Sequence, residues 1–217
     1  MKTPAKLLVL ASLAFAQDRE TPVDNQFVQV IQVHRAMPGV KTRPHRHAVN
    51  RVMIYLNAGG QNITYEDGKV EKLVWKAGQA LWSPAGGMHV AEIQGSEPAR
   101  IVEVELKREA SKRLIPFSGR DPVRIDPKHY TVDFEKPQVR VTRVRLGPGE
   151  QTPVVDHNLA RLVTYLTEHD IEVTPEHGAP RQEHRRAEQV EWLEPAVESI
   201  RNTGARPAEA VVIYFKY

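Results

Sequence analysis

Three histidines carry most of the chemistry that can be read from this chain. His45 and His47 stand two apart in Gly39-Val-Lys-Thr-Arg-Pro-His45-Arg46-His47, and His89 closes Gly78-Gln-Ala-Leu-Trp-Ser-Pro84-Ala-Gly86-Gly-Met-His89. In an extended segment side chains alternate, so residues i and i+2 point to the same side. Two imidazoles paired this way, joined by a third from a later strand, can present three nitrogens to one face of a metal ion. Pro84 and Gly86 predict a tight turn that aims His89 inward. Taken alone, an HxH pair reads just as well as exposed or merely hydrogen-bonded histidines. The third histidine, at its place behind the turn, shifts that balance toward a metal.

The elements that must position these side chains read as strands. Residues 28–33, 51–56, 61–65, 70–75 and 101–106 are short, rich in β-branched or aromatic residues, and separated by Gly, Pro, Asn and Asp. Asp67-Gly68 between two such runs is a two-residue hairpin signal, with positive φ expected at both turn positions. A sustained helical stripe is absent, apart from a brief candidate at Glu183 to Glu191. The chain also repeats itself. Pro38-Gly39, His47, Arg51, Tyr55-Leu56 and Trp82 recur 110 residues later as Pro148-Gly149, His157, Arg161, Tyr165-Leu166 and Trp192. The later pairs Gly95/Gly204, Pro98/Pro207 and Lys107/Lys216 recur at 109, one residue having been lost after the tryptophan. Such order over a half-chain predicts duplication, with an all-β sandwich or barrel per half. Residues 108–137 carry five prolines or glycines (Pro116, Gly119, Pro122, Pro127, Pro137) and read as an irregular linker.

With these motifs in place the sequence resembles the cupin superfamily. The family's first motif runs G(x)5HxH(x)3–4E(x)6G, matched here by Gly39, His45, His47 and, with one extra residue, Gly59. Its second runs G(x)5PxG(x)2H(x)3N, matched by Gly78, Pro84, Gly86 and His89. Together with the duplication, the resemblance implies two tandem antiparallel jelly-roll barrels, a bicupin, with residues 17–107 as the first, 108–137 as the linker and 138–217 as a degenerate second. It also implies that His45, His47 and His89 are three of the four usual ligands of a divalent metal, which could be Fe, Mn, Zn or Ni.

Two positions depart from the pattern: Arg51 stands where the family places its glutamate ligand, and Ile93 where it places its final asparagine. Strand parity puts Arg51 and Tyr55 inside with the histidines. A guanidinium is always charged and cannot ligate a cation. Three arrangements follow. Arg51 sits a few ångströms from the metal and orients an anionic substrate; or there is no metal and Arg51 and the histidines bind an anion; or a bulge turns Arg51 outward or into an ion pair with Glu92, Glu103 or Glu105. In the second half Val155 stands for His45 and Glu198 for His89, so no tight metal is expected there. Trp82 and Trp192 read as packing residues, Tyr55 and Met88 as pocket lining, and His34, His129, His169, His177 and His184 as surface.

Composition limits the rest. The chain has no cysteine, which excludes disulfides, thiolate metal sites and a cysteine nucleophile. Lys2 and Lys6, the apolar run to Ala16 and the pattern Ala14-Phe15-Ala16 fit a signal peptide over residues 1–16, with a periplasmic or secreted mature protein. Without those two lysines 28 basic residues face 27 acidic ones, too even a balance for nucleic-acid binding. No later segment suits a membrane, and either a monomer or a homodimer is open. Three imidazoles leave a metal with open positions that can activate O2 or polarise a carbonyl. The expectation is a three-histidine non-haem iron oxygenase, or an isomerase, acting on a small anionic substrate. The alternatives are a non-enzymatic small-molecule or metal-binding protein and a scaffold whose site has decayed.

Overall fold

The computed structural model describes residues 18–109 and 115–217. The proposed signal peptide lies outside the described residues. The first half contributes β1 (Asp18–Asp24), β2 (Val28–Ala36), β3 (His45–His47), β4 (Arg51–Tyr55), β5 (Gly59–Tyr65), β6 (Val70–Trp75), β7 (Gln79–Ser83), β8 (Gly86–Gln94) and β9 (Ala99–Leu106). After the one-turn helix α1 (Pro122–Ile125) come β10 (Tyr130–Glu135), β11 (Val139–Leu146), β12 (Val155–His157), β13 (Arg161–Tyr165), β14 (His169–Pro175), β15 (Arg181–Arg185), β16 (Val190–Leu193), β17 (Ala196–Asn202) and β18 (Ala208–Phe215).

The chain is all-β and its ladders are antiparallel. Each half makes one five-stranded and one four-stranded sheet. The orders are β1-β2-β9-β4-β7 and β3-β8-β5-β6 in the first half, and β10-β11-β18-β13-β16 and β12-β17-β14-β15 in the second. Adding nine to each label of the first half gives the second, so the repeat seen in the residues is a repeat of strand order.

The largest apolar core lies between the halves. Val28, Val30, Val52, Ile54, Val102, Val104 and Leu106 of one five-stranded sheet pack with Val139, Val141, Leu162, Val211, Ile213 and Phe215 of the other. Trp82 and Trp192 both pack against this cluster, and Trp192 stacks between Phe27 and Phe215 at 5.5 and 5.1 Å. The alternate residues of the same strands therefore face into each half, which is what lets a strand such as Val52–Ile54 be buried on both sides. Polar bonds tie the halves at the edges: Asn50 Nδ2 donates to Gln138 Oε1 at 2.7 Å, and Arg143 Nη2 to the Gly78 carbonyl at 2.7 Å.

Four expectations need correction. The hairpin between β5 and β6 forms, but only Gly68 has positive φ (80°) and its N–H donates to the Tyr65 carbonyl. With Tyr65 N–H on the Lys69 carbonyl as well, this is a three-residue loop with glycine in the left-handed position, not a two-residue turn. Residues 108–137 are not irregular throughout: α1 and β10 lie within them, and β10 pairs with β11 as β1 does with β2. Glu183 to Glu191 holds no helix; it spans the end of β15 and the start of β16. His129 and His169 are not surface residues, since both are buried. His129 Nδ1 bonds Asp126 at 2.7 Å, and His169 Nε2 bonds the Glu209 carbonyl at 3.1 Å.

Candidate metal centre

β3 and β8 pair so that His45 lies directly opposite His89, with a bulge between His45 and His47. The bulge keeps both β3 imidazoles beside β8, and one nitrogen from each of His45, His47 and His89 lies within 4.8 Å of the others. Ring centroids are 4.5 to 5.3 Å apart. His45 Nδ1 sits 2.8 Å from the Arg43 carbonyl and His89 Nδ1 3.0 Å from the Gly87 carbonyl. A carbonyl only accepts, so each Nδ1 donates its proton there and Nε2 is the nitrogen left to face a cation. This is the outer-shell pattern that orients metal-ligating histidines.

His47 is held differently. β4 runs against β7 and β9 without a register shift, so no bulge turns Arg51 outward; it points inward as parity requires, and of the third arrangement the ion pair with Glu103 is the part that forms. Its Nη1 donates to His47 Nε2 at 2.7 Å and to Glu103 Oε1 at 2.5 Å, and its Nη2 to Ser83 Oγ at 2.8 Å. The other nitrogen of His47 faces Glu103 at 3.6 Å and Glu105 at 3.9 Å. Burial, then the Arg51 charge, push the His47 pKa down to about 3, so the ring is neutral. Its Nε2 lone pair is therefore occupied by a guanidinium rather than by a proton. A cation on all three rings requires Arg51 to release His47, which it can do while keeping Glu103 and Ser83.

Glu103 and Glu105 extend the site, because His47, Glu103 and Glu105 form a second group of ligand-type atoms within 4.8 Å. Burial and the neighbouring Glu103 raise the Glu105 carboxyl pKa. Sequence reading named these glutamates only as partners for Arg51. Their signal was alternation in β9, where Ile101, Glu103 and Glu105 share one face. Tyr55 lies deeper on the same face of β4, stacked on Trp75 at 4.1 Å, with burial pushing its phenol up to about 12. Met88, one residue from His89, is on the opposite face of β8 by alternation. In the second half Val155 pairs with Glu198 as His45 pairs with His89, and His157 bonds Tyr214 Oη at 2.8 Å. The donor set of the first half suits a divalent cation; that of the second, one imidazole and a glutamate already bonded to Arg161, does not.

No protein-family model matches the chain, and no curated protein matches it in sequence. Solved structures do. AerE from Microcystis aeruginosa aligns with a TM-score of 0.63 at 12% identity over 89% of each chain. Oxalate decarboxylase from Bacillus subtilis, described for its Mn(II) centres, aligns at 0.60 and 13% identity, over 92% of this chain and 75% of that one. A further oxalate decarboxylase structure aligns at 0.61 and 12% identity, over 88% and 70%. These neighbours are cupin proteins. At such identities the likeness shows a shared cupin fold, with a histidine cluster in this chain that is a potential divalent-metal site.

Proposed function

We propose that the chain is an exported bicupin metalloprotein. Its first barrel holds a divalent metal on His45, His47 and His89, and its second barrel holds none. One observation carries the reading: three imidazoles from β3 and β8 converge within 4.8 Å, two of them with Nδ1–H fixed on backbone carbonyls. Bound there, a metal would supply Lewis acidity or, as Fe(II), O2 activation, which makes an oxygenase or isomerase acting on a small anionic substrate the enzyme class. The surrounding residues divide the remaining work. Glu105, with its raised pKa, is the group suited to hold a proton. Arg51 is the group suited to an anionic substrate, once it exchanges Glu103 for the incoming carboxylate. Tyr55 and Trp75 close the apolar floor behind it.

A second reading is a ligand-binding protein without turnover. The bond between Arg51 Nη1 and His47 Nε2 favours it, because it puts a fixed cation where a metal needs a lone pair. Metal analysis of protein purified without chelator or a nickel column separates the two. The enzyme reading expects about one metal per chain, lost in both His45→Ala and His89→Ala, and O2 uptake or substrate loss with small carboxylates or diketones. Metal-free protein that binds such anions without consuming them establishes the second reading instead.

A further inference from the structure

The second half has a cavity of about 370 Å3 between its two sheets, within the range of small-molecule sites. Its walls are aliphatic: Val144, Leu146, Val163, Ile171, Val173 and Val212 line it. The cations that reach it are all matched. Arg161 Nη2 bonds Glu198 at 2.8 Å; Arg185 bonds Glu183 at 2.7 Å and Glu191 at 2.8 Å; Arg181 pairs with Glu183 and lies 3.6 Å from Glu198. The remaining lining carboxylate, Glu194, accepts from Trp192 Nε1–H at 2.7 Å, so the cavity offers no unmatched cation to an anionic ligand.

It does offer two unmatched polar atoms. His157 and Tyr130 line the cavity, and their Nε2 and Oη atoms are buried without hydrogen-bond partners, on residues only 3% and 1% exposed. Their rings are 6.1 Å apart. Burial, then the Arg161 charge, hold the His157 pKa well below its usual value, so this imidazole carries one proton. Tyr214 Oη, 2.8 Å from Nδ1, has no other hydrogen-bond partner among the described residues. A buried phenol needs an acceptor, so Tyr214 donates to Nδ1 and the imidazole proton sits on Nε2. Tyr130 Oη has no hydrogen-bond partner, so its proton is without an acceptor. Two buried donors thus border an apolar chamber with nothing to receive them, and a buried donor left unpaired is destabilising.

We propose that this cavity is a second ligand site, separate from the histidine cluster, for an uncharged molecule with a hydrocarbon body and one carbonyl oxygen. The oxygen accepts from His157 Nε2–H and Tyr130 O–H, and the hydrocarbon covers the aliphatic walls. The test is calorimetric titration of the full chain with 2-heptanone, beside hexanoate as its charged counterpart. The expected result is that the ketone binds and hexanoate binds more weakly. Tyr130→Phe, which removes one unpaired hydroxyl and keeps the ring, weakens the ketone about tenfold while leaving metal content unchanged and raising rather than lowering Tm. Ketone binding absent at millimolar concentration, equal in Tyr130→Phe, or weaker than that of hexanoate overturns the proposal.

Discussion

The two halves share one backbone frame and fill it in opposite ways. Equivalent register pairs, His45 with His89 and Val155 with Glu198, Arg51 with Glu105 and Arg161 with Tyr214, fix the correspondence residue by residue. In the first half the interior holds three imidazoles, one arginine and two glutamates at one end, and Trp75 stacked on Tyr55 at the other. In the second, Val212 and Tyr214 stand for the two glutamates and Arg185 for the tryptophan, and the space between the sheets is an apolar cavity. Both halves keep a buried arginine paired with one carboxylate, but that carboxylate has moved from β9 (Glu103) to β17 (Glu198). The frame thus fixes the need for a compensated buried cation and leaves the chemistry around it free. Because the shared arginine is paired with Glu198 in the half that lacks the imidazole cluster, its role in the other half is decided by what surrounds it.

The sharpest way to break this comparison is to strip each arginine of its carboxylate. Arg161 is 3% exposed, and without Glu198 it keeps the Glu194 carbonyl but no ion pair among the described residues. Glu198→Leu should cost about 3–5 kcal/mol, the usual penalty for stranding one member of a buried pair. Arg51 without Glu103 retains Ser83 and His47, with Glu105 across the strand, so Glu103→Leu should cost about 1–3 kcal/mol. Urea unfolding measures both, and equal losses would remove the asymmetry argued here.

A smaller effect is read through pH, where His157 and His169 act in the second half as His47 does in the first. Burial lowers the pKa of His157 and His169 in the folded second half. For a histidine with a depressed folded pKa, the unfolded chain takes up a proton below about pH 6.5 that the folded chain refuses. Its stabilising contribution is therefore full above that pH and is lost as pH falls, by about 1.4 kcal/mol per pH unit. His157→Phe should flatten the stability curve by one proton's worth of slope, about 2 kcal/mol between pH 6.5 and 5. Denaturant melts at pH 7, 6 and 5 with chelator present check it. Parallel curves for the two proteins would show that His157 is protonated in the fold.

Much of this frame is legible in the residues, and the exceptions have physical causes. The spacing of 110 that relates Arg51 to Arg161 reappears as identical strand order, and the alternation from His47 through Arg51 to Tyr55 places all three inside. Glu103 and Glu105 were not legible as site residues. Charges that alternate with Val102 and Val104 read like the wet face of a half-buried strand, whereas here the valines face the other half's sheet and the glutamates face the interior. β15 lacked an apolar alternation because Arg181, Glu183 and Arg185 satisfy one another rather than a core. β10 was hidden among prolines and glycines that punctuate the segment before it. The cavity could not be read at all, since its lining, with Arg185 in place of Trp75, comes from strands of two different sheets.

The smallest expected change is also the one that decides what Arg51 does. Its guanidinium lies 2.7 Å from the nitrogen that His47 would offer a cation, and like charges at that range oppose each other even at an effective dielectric near 20. Arg51→Gln removes the repulsion, frees His47 and leaves Glu103 to add negative charge beside the ion, so affinity for Mn2+ or Zn2+ should rise about tenfold. Arg161→Gln, the same change in the half without the imidazole cluster, should add no metal. If Arg51→Gln instead loses metal, then Arg51 is holding His47 in the ligating position. The guanidinium would then be a positioning group of the metal centre rather than its competitor, and the two arginines, alike in frame, would differ in kind.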